Sequence, residues 1–121
     1  SGDFAGWYNQ PFEVVVEMDG AEYSEVTLST IVFKYDWIMN PTSFTVLTSE
    51  DGENFTEVAH VDIECVGQMD DANGCQDYTL TFSQTSAKYL KVIAGCCTSL
   101  PEWHPGAGHP AFLFVDEVIV K

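Results

Sequence analysis

The chain has 121 residues, 45% of them hydrophobic, and a formal net charge of -15 from 19 acidic and four basic residues. This apolar content excludes a disordered chain, and no apolar run approaches the roughly 18 residues of a membrane span. The charge would repel a nucleic-acid backbone or an anionic membrane surface, so we expect neither as a partner. Neutral ligands and divalent cations are compatible with it.

The length predicts a single domain spanning residues 1–121, which would bury roughly 65% of the surface of its unfolded chain without help from a metal or disulfide. The chain begins at Ser1-Gly2-Asp3 with neither a basic nor an apolar leader region, so no signal peptide is visible. We therefore interpret the domain as a piece excised from a larger protein.

Strand signals recur along the chain, and turn residues such as Asp19-Gly20 and Asp51-Gly52 separate them. A tight hairpin turn is expected at Asp51-Gly52, and a short connector at residues 83–87. No segment shows a helical pattern of useful length. About seven strands with turns about every 8 to 12 residues predict an all-β antiparallel sandwich or barrel. The predicted strands are residues 12–17, 25–35, 43–49, 55–63, 78–82, 88–94 and 111–120.

Residues 100–110 read LPEWHPGAGHP, with three prolines and two glycines. This composition excludes a helix or an inner strand, and strand-like runs flank the segment on both sides. The pattern predicts a long, shaped loop at one end of a sheet, carrying Trp103 and the imidazoles of His104 and His109. Loops of this kind commonly carry function.

The four cysteines, Cys65, Cys75, Cys96 and Cys97, lack the spacing of a zinc site. Cys65 and Cys75 bracket a turn-like segment and could form a disulfide in an oxidising compartment. Four free thiols are the equally weighted alternative.

Several segments, in order, resemble the coagulation factor 5/8 type C, or discoidin-like, family of galactose-binding-like domains. They are WIMNP at 37–41 leading into FTV at 44–46, SEDGENF at 49–55, KYLKV at 88–92 and AFLFVDEV at 111–118. The resemblance covers most of the chain from about residue 12 and implies a jelly-roll β-sandwich. The chain departs from the family at its start, where the usual first strand is missing or shortened.

More narrowly, residues 100–108 followed by FLFVDE at 112–117 resemble the C-terminal domain of Bacteroides-type β-hexosaminidases, or chitobiases. That resemblance implies an accessory module behind a separate catalytic domain of the same chain. The expected location is periplasmic, cell-surface or secreted, and the expected state is a monomer.

No catalytic residue is predicted. A glycosidase needs two carboxyl groups facing one cleft, whereas Asp116 and Glu117 are adjacent on a predicted strand and should point to opposite faces. Asp70-Asp71 lies in a turn, and no Gly-x-Ser-x-Gly nucleophile motif is present.

Aromatic loop residues are the best candidates for a ligand site. A sugar presents an apolar face that stacks on an indole, while its hydroxyls need polar neighbours. We therefore predict contact with a glycan of the N-acetylhexosamine or galactose type through Trp103, His104 and Trp37, with Trp7 and Tyr8 as further candidates. In the alternative, Trp103 packs inward, and the loop attaches a purely structural module to the catalytic domain.

The family resemblance also implies a structural Ca²⁺ ion that joins the N-terminal loop to the last strand. By that resemblance Asp3 and Glu117 are the carboxylate ligands, and backbone carbonyls of residues 1–6 and of Asp116 supply further oxygens. Alternatively, Glu117 merely caps the edge of the sheet. His104 and His109 lack a third ligand at fixed spacing and are not predicted to bind a metal.

Overall fold

The structure, a computed structural model, describes residues 5–8, 11–32, 38–64, 74–96, 100, 107–108 and 112–121. These residues form eight β-strands, and no helix occurs among them. The strands are β1 (Ala5–Tyr8), β2 (Phe12–Glu17), β3 (Tyr23–Val32), β4 (Ser43–Ser49), β5 (Thr56–Asp62), β6 (Gly74–Thr85), β7 (Tyr89–Gly95) and β8 (Phe112–Val120).

Two four-stranded sheets make up the fold. The first sheet has the strand order β1-β8-β3-β6, and the second has the order β2-β7-β4-β5. Every neighbouring pair of strands is antiparallel. The predicted all-β antiparallel sandwich is therefore confirmed. None of the described segments forms an apolar helix of membrane-spanning length.

The core lies between the inner faces of the two sheets, because alternate residues of each strand are apolar and buried. In β7, for example, Leu90, Val92 and Ala94 are fully buried, while the residues between them are partly exposed. Burial of each large side chain contributes roughly 1.5–3 kcal/mol to stability. The cluster consists of Phe12, Tyr23, Val26, Leu28, Phe44, Val46, Leu90, Val92, Ala94, Cys96, Leu113 and Val115.

A β-bulge in β8 shifts the alternation of that strand. Ser29 of β3 lies opposite Glu117, but the next residue, Thr30, lies opposite Val115. Leu113 and Val115 face the core before the bulge, and Val118 and Val120 pack against it afterwards. Because the extra residue falls at Asp116, the regular alternation predicted for Asp116 and Glu117 does not hold here.

Two of the predicted strands, 12–17 and 43–49, have the observed bounds, and others differ by a few residues. The largest difference is β6, which begins before the predicted 78–82 and continues through Thr85. Its pairing with β3 sustains it, since Thr85 lies opposite Tyr23 beyond a bulge at the start of β3. Strand β1 has only four residues and is paired with β8.

The connections divide between the two ends of the sandwich. Residues 9–11, 33–42, 63–73 and 96–111 join strands at one end, named here the long-loop end. The other end, named the short-turn end, has the connections 18–22, 50–55 and 86–88. The predicted Asp19-Gly20 turn is present: both residues have positive φ, and Ala21 N donates to Met18 O. Residues 50–55 form a longer loop than the tight hairpin turn predicted at Asp51-Gly52.

Candidate functional site

The connection that follows β3 is attached directly to the start of β8. Ile38 forms a parallel β-bridge with Phe112, and the Met39 N–H donates to the Phe112 carbonyl at 3.1 Å. Trp37 immediately precedes Ile38, and the segment containing Trp103 and His104 leads into Phe112 in the sequence. The structure therefore joins, at the long-loop end, the two connections that carry the predicted ligand residues.

The segment between β7 and β8 is closed at its base. Leu100 is buried, and its carbonyl accepts a hydrogen bond from the Gly108 N–H at 3.1 Å. Gly108 has a φ of 84°, a left-handed conformation that side-chain-bearing residues rarely adopt. The chain therefore leaves the sandwich at Leu100 and returns to the same place at Gly108. Trp103 and His104 lie between these two residues in the sequence.

A buried amide braces the long-loop end. The side chain of Asn40 is 1% exposed, and its Nδ2 donates to the carbonyls of Pro41 and Glu64 at 3.0 and 2.9 Å. Two backbone bonds lie nearby, from Thr42 N to Gly95 O at 2.8 Å and from Ile63 N to Thr42 O at 2.9 Å. Three connections are thus tied together at their bases, which provides a rigid frame beneath the loops.

Phe112, which the sequence predicts only as a strand residue, adds an aromatic surface. Its side chain is 37% exposed and meets Phe114 edge to face, with ring centroids 6.1 Å apart. It lies at the first position of β8, beside the bridge to Ile38. A signal for it is present in the sequence. Phe112 and Phe114 alternate with Leu113 and Val115, which places large apolar side chains on both faces of one strand.

The predicted ligand residues Trp37, Trp103 and His104 lie outside the described residues, as do His109 and Asp3. Trp7 and Tyr8 belong to β1, where only the backbone is described. The predicted glycan contacts of these three residues and of Trp7 and Tyr8 therefore remain predictions. The structure shows at which end of the sandwich the segments that carry Trp37, Trp103 and His104 begin and end.

Glu117, the other predicted calcium ligand, is exposed near the end of β8. On the neighbouring strand Ser29 faces it, and the Ser29 hydroxyl donates to Asp77 Oδ1 at 2.7 Å. Strand β1 runs antiparallel to β8 with Ala5 opposite Val115, so the start of β1 lies near Glu117 in the sheet. Within the described ranges, no three His, Cys, Asp or Glu side chains converge as they would around a metal ion.

Two of the four cysteines can be placed. Cys75 is exposed on β6 and is a free thiol, and Cys96 is buried at the end of β7. Cys65 and Cys97 lie outside the described residues. For Cys75, the free-thiol alternative therefore holds over the disulfide.

The described residues thus form an antiparallel β-sandwich with an exposed aromatic residue, Phe112, at its long-loop end. The chain belongs to the F5/8 type C domain family, whose sequence model matches residues 1–111. It is accordingly a non-catalytic module, as the lack of a carboxylate pair or nucleophile motif in the sequence predicts. No curated protein sequence is similar enough to count as a relative.

Solved structures share the fold at low sequence identity. The module CpGH89CBM32-5 of Clostridium perfringens, in complex with GalNAc-β-1,3-galactose, is 22% identical and has a TM-score of 0.52, covering 95% of this chain and 73% of that one. Chitosan-binding module 1 from a chitosanase/glucanase of Paenibacillus sp. IK-5 is 18% identical, with a TM-score of 0.56 and coverages of 95% and 74%. CsCBM6-3 of Clostridium stercorarium, in complex with cellobiose, is 15% identical, with a TM-score of 0.52 and coverages of 98% and 72%.

The C-terminal domain of a chitobiase from Bacteroides fragilis also matches, at 17% identity over 93% of this chain and 66% of that one. Its TM-score of 0.42 reflects a superposition too loose to say anything about a parent enzyme.

Proposed function

We propose that this domain binds neutral glycans at the long-loop end. The observation that carries the proposal is the Ile38–Phe112 bridge, which joins the connection containing Trp37 to the strand entered from the loop containing Trp103 and His104. Exposed Phe112 lies at the same place. Structures of the same fold are complexes with GalNAc-β-1,3-galactose and with cellobiose, which supports a sugar as the ligand.

The chemistry of these residues suits a neutral sugar. Aromatic rings stack on the apolar C–H face of a pyranose, and an imidazole can donate or accept a hydrogen bond with its hydroxyls. A net charge of -15 disfavours anionic polysaccharides. We therefore propose ligands of the N-acetylhexosamine or galactose type, with Trp103, His104 and Trp37 as contact residues.

The biological role proposed here is that of a targeting module for a secreted, periplasmic or cell-surface glycoside hydrolase of the β-hexosaminidase type. Weak binding by the module would hold the catalytic domain near its substrate and so raise the local substrate concentration. The support for this parent enzyme is the resemblance of residues 100–108 and 112–117 to the corresponding part of chitobiases.

A titration of the domain with N-acetylglucosamine, galactose and chitin oligosaccharides tests the proposal. We expect binding at millimolar concentration or tighter, and Trp103→Ala should weaken it about tenfold or more, since an aromatic stacking contact is lost. The control is Val15→Ala, which shortens an exposed apolar side chain on the outer face of the second sheet.

Glycan binding is contradicted if no sugar binds at millimolar concentration and Trp103→Ala instead lowers the thermal midpoint or impairs docking of the catalytic domain. That result would favour a purely structural module whose loop packs against that domain.

We also propose a structural Ca²⁺ ion held by Asp3, Glu117 and backbone carbonyls. Glu117 is exposed, and the start of β1 lies near it in the sheet, which supports this assignment. A chelator should lower the thermal midpoint of the native domain but leave that of Glu117→Gln unchanged. If chelator leaves the thermal midpoint of the native domain unchanged, the domain is not stabilised by a bound Ca²⁺ ion.

A further inference from the structure

A pocket of about 290 Å³ opens at the short-turn end, far from the long loops. Its walls come from both sheets. Thr48 ends β4 and Thr56 begins β5, both in the second sheet, whereas Thr85 ends β6 of the first sheet. The loop after β4, with Glu50 and Asp51, forms one side.

The loop side of the pocket is held in a fixed shape by Asp51. Its Oδ1 accepts hydrogen bonds from the N–H groups of Glu53 and Asn54 and from the Ser49 hydroxyl, and its Oδ2 accepts one from Asn54 Nδ2. All four donor–acceptor distances lie between 2.8 and 2.9 Å. These bonds hold the pKa of the Asp51 carboxyl well below its usual range, so the loop keeps its shape and charge across the working pH range.

The opposite side is fixed by buried Tyr23. Its hydroxyl donates to the Ala87 carbonyl at 2.9 Å, and Thr85 Oγ1 accepts from the Ala87 N–H at 3.1 Å. Burial and, secondly, the nearby Glu50 carboxylate raise the pKa of Tyr23, so this side remains protonated and uncharged. Both walls therefore exist before any ligand arrives, which lowers the entropic cost of binding.

The lining selects the chemical class of ligand by elimination. All its side chains except that of Ala87 are polar, which excludes an apolar ligand, and the carboxylates of Glu50 and Asp51 repel anions. A calcium ion needs six to eight oxygens, yet the oxygens of Asp51 are already engaged, which leaves Glu50 as the one available carboxylate of this pocket.

What the pocket offers is hydrogen bonding to an uncharged ligand. The hydroxyls of Thr48 and Thr56 and the Glu50 carboxylate make no side-chain hydrogen bond to any described residue. Thr85 Oγ1 accepts one bond and can still donate. We propose that this pocket is a second carbohydrate site, which takes one neutral sugar residue through its hydroxyl groups. This site and the proposed long-loop site lie at opposite ends of the sandwich, so the domain could bridge two glycan segments.

Amide-resolved NMR titration of the ¹⁵N-labelled domain with galactose and N-acetylglucosamine reports the two ends separately. We expect the amides of Thr48, Glu50, Thr56 and Thr85 to shift with millimolar affinity, and glucuronate to leave them unshifted. Thr56→Val should weaken binding at this pocket about three- to tenfold, because one hydroxyl partner is lost. Trp103→Ala should leave the pocket shifts intact, which separates this proposal from that for the long-loop end.

The matched control is Thr81→Val, the same change at another exposed threonine, on β6 and outside the lining. The proposal is overturned if the four pocket amides stay unshifted at 100 mM sugar in the folded domain, on the order of ten times the weakest dissociation constant expected here. It is also overturned if glucuronate shifts them equally, or if Thr56→Val and Thr81→Val bind alike.

Discussion

The two ends of this sandwich are stabilised in different ways. At the long-loop end the connections are fixed at their bases, by the buried Asn40 amide and by backbone bonds to Phe112, Gly95 and Leu100. At the short-turn end the loop at 50–55 is stabilised from within by Asp51, and the other two connections are joined by the bond from Met18 N to Lys88 O. Loops commonly carry recognition residues, because substitutions in a loop leave the packing of the scaffold intact.

The core joins the two ends, and its loss should abolish both together. Phe44 is fully buried between the sheets, so Phe44→Ala should cost about 3 to 5 kcal/mol through lost burial and a residual cavity. Denaturant unfolding measures this cost, with Val15→Ala expected to stay within about 0.5 kcal/mol. If NMR showed Phe44→Ala to disorder one end and leave the other native, the ends would be independent units rather than parts of one cooperative domain.

Asn40 should distinguish the ends more sharply. Asn40→Ala leaves the carbonyls of Pro41 and Glu64 without this donor, which should cost about 1 to 3 kcal/mol. We expect glycan affinity at the long-loop end to fall, while sugar-induced shifts at the short-turn pocket persist. Asn54→Ala is the counterpart at the other end, because it removes the Nδ2 bond to Asp51. Identical binding profiles for the two variants would contradict the division described here.

Asp51 should give the smallest effect, one that depends on pH. Its folded-state pKa is lowered by hydrogen bonds from Asn54 and Glu53, so the ionised carboxylate stabilises the fold above the unfolded-state pKa of about 4. This contribution is lost as pH falls through the lower folded-state pKa. We expect Asp51→Asn to lower the thermal midpoint at pH 7, and the difference from the native domain to narrow below about pH 4. A difference that stays constant down to pH 2 would show that the charge of Asp51 does not matter.

The strand positions were largely predictable from local sequence. Strand-like runs bounded by turn residues identified β4 at 43–49 and β2 at 12–17, because these signals lie in the local order of residues. Strand β1 and the two ends of β6 left no such trace. Their backbone is extended because β8 and β3 supply hydrogen-bonding partners that are distant in sequence.

The candidate site was likewise predictable from local sequence only in part. Proline, glycine and aromatic residues marked the loop at 100–110 and suggested Trp103 and His104, but only the structure shows that Phe112 is exposed beside Ile38. The sequence likewise contained all the lining residues of the short-turn pocket without showing that Thr48, Thr56 and Thr85 meet there. These threonines come from three strands of two different sheets.

By itself, the sequence determined the class of this protein: an acidic, all-β domain with family motifs in order and no catalytic pair. Those properties depend on composition and on residues that are neighbours along the chain, so they can be seen in the sequence without the fold. Only the tertiary structure decided which loops share an end, where the β8 bulge shifts the alternation, and which hydroxyls line one pocket. Such relations arise from pairing between residues far apart in sequence, and the free energy of that pairing depends on the whole packed sandwich.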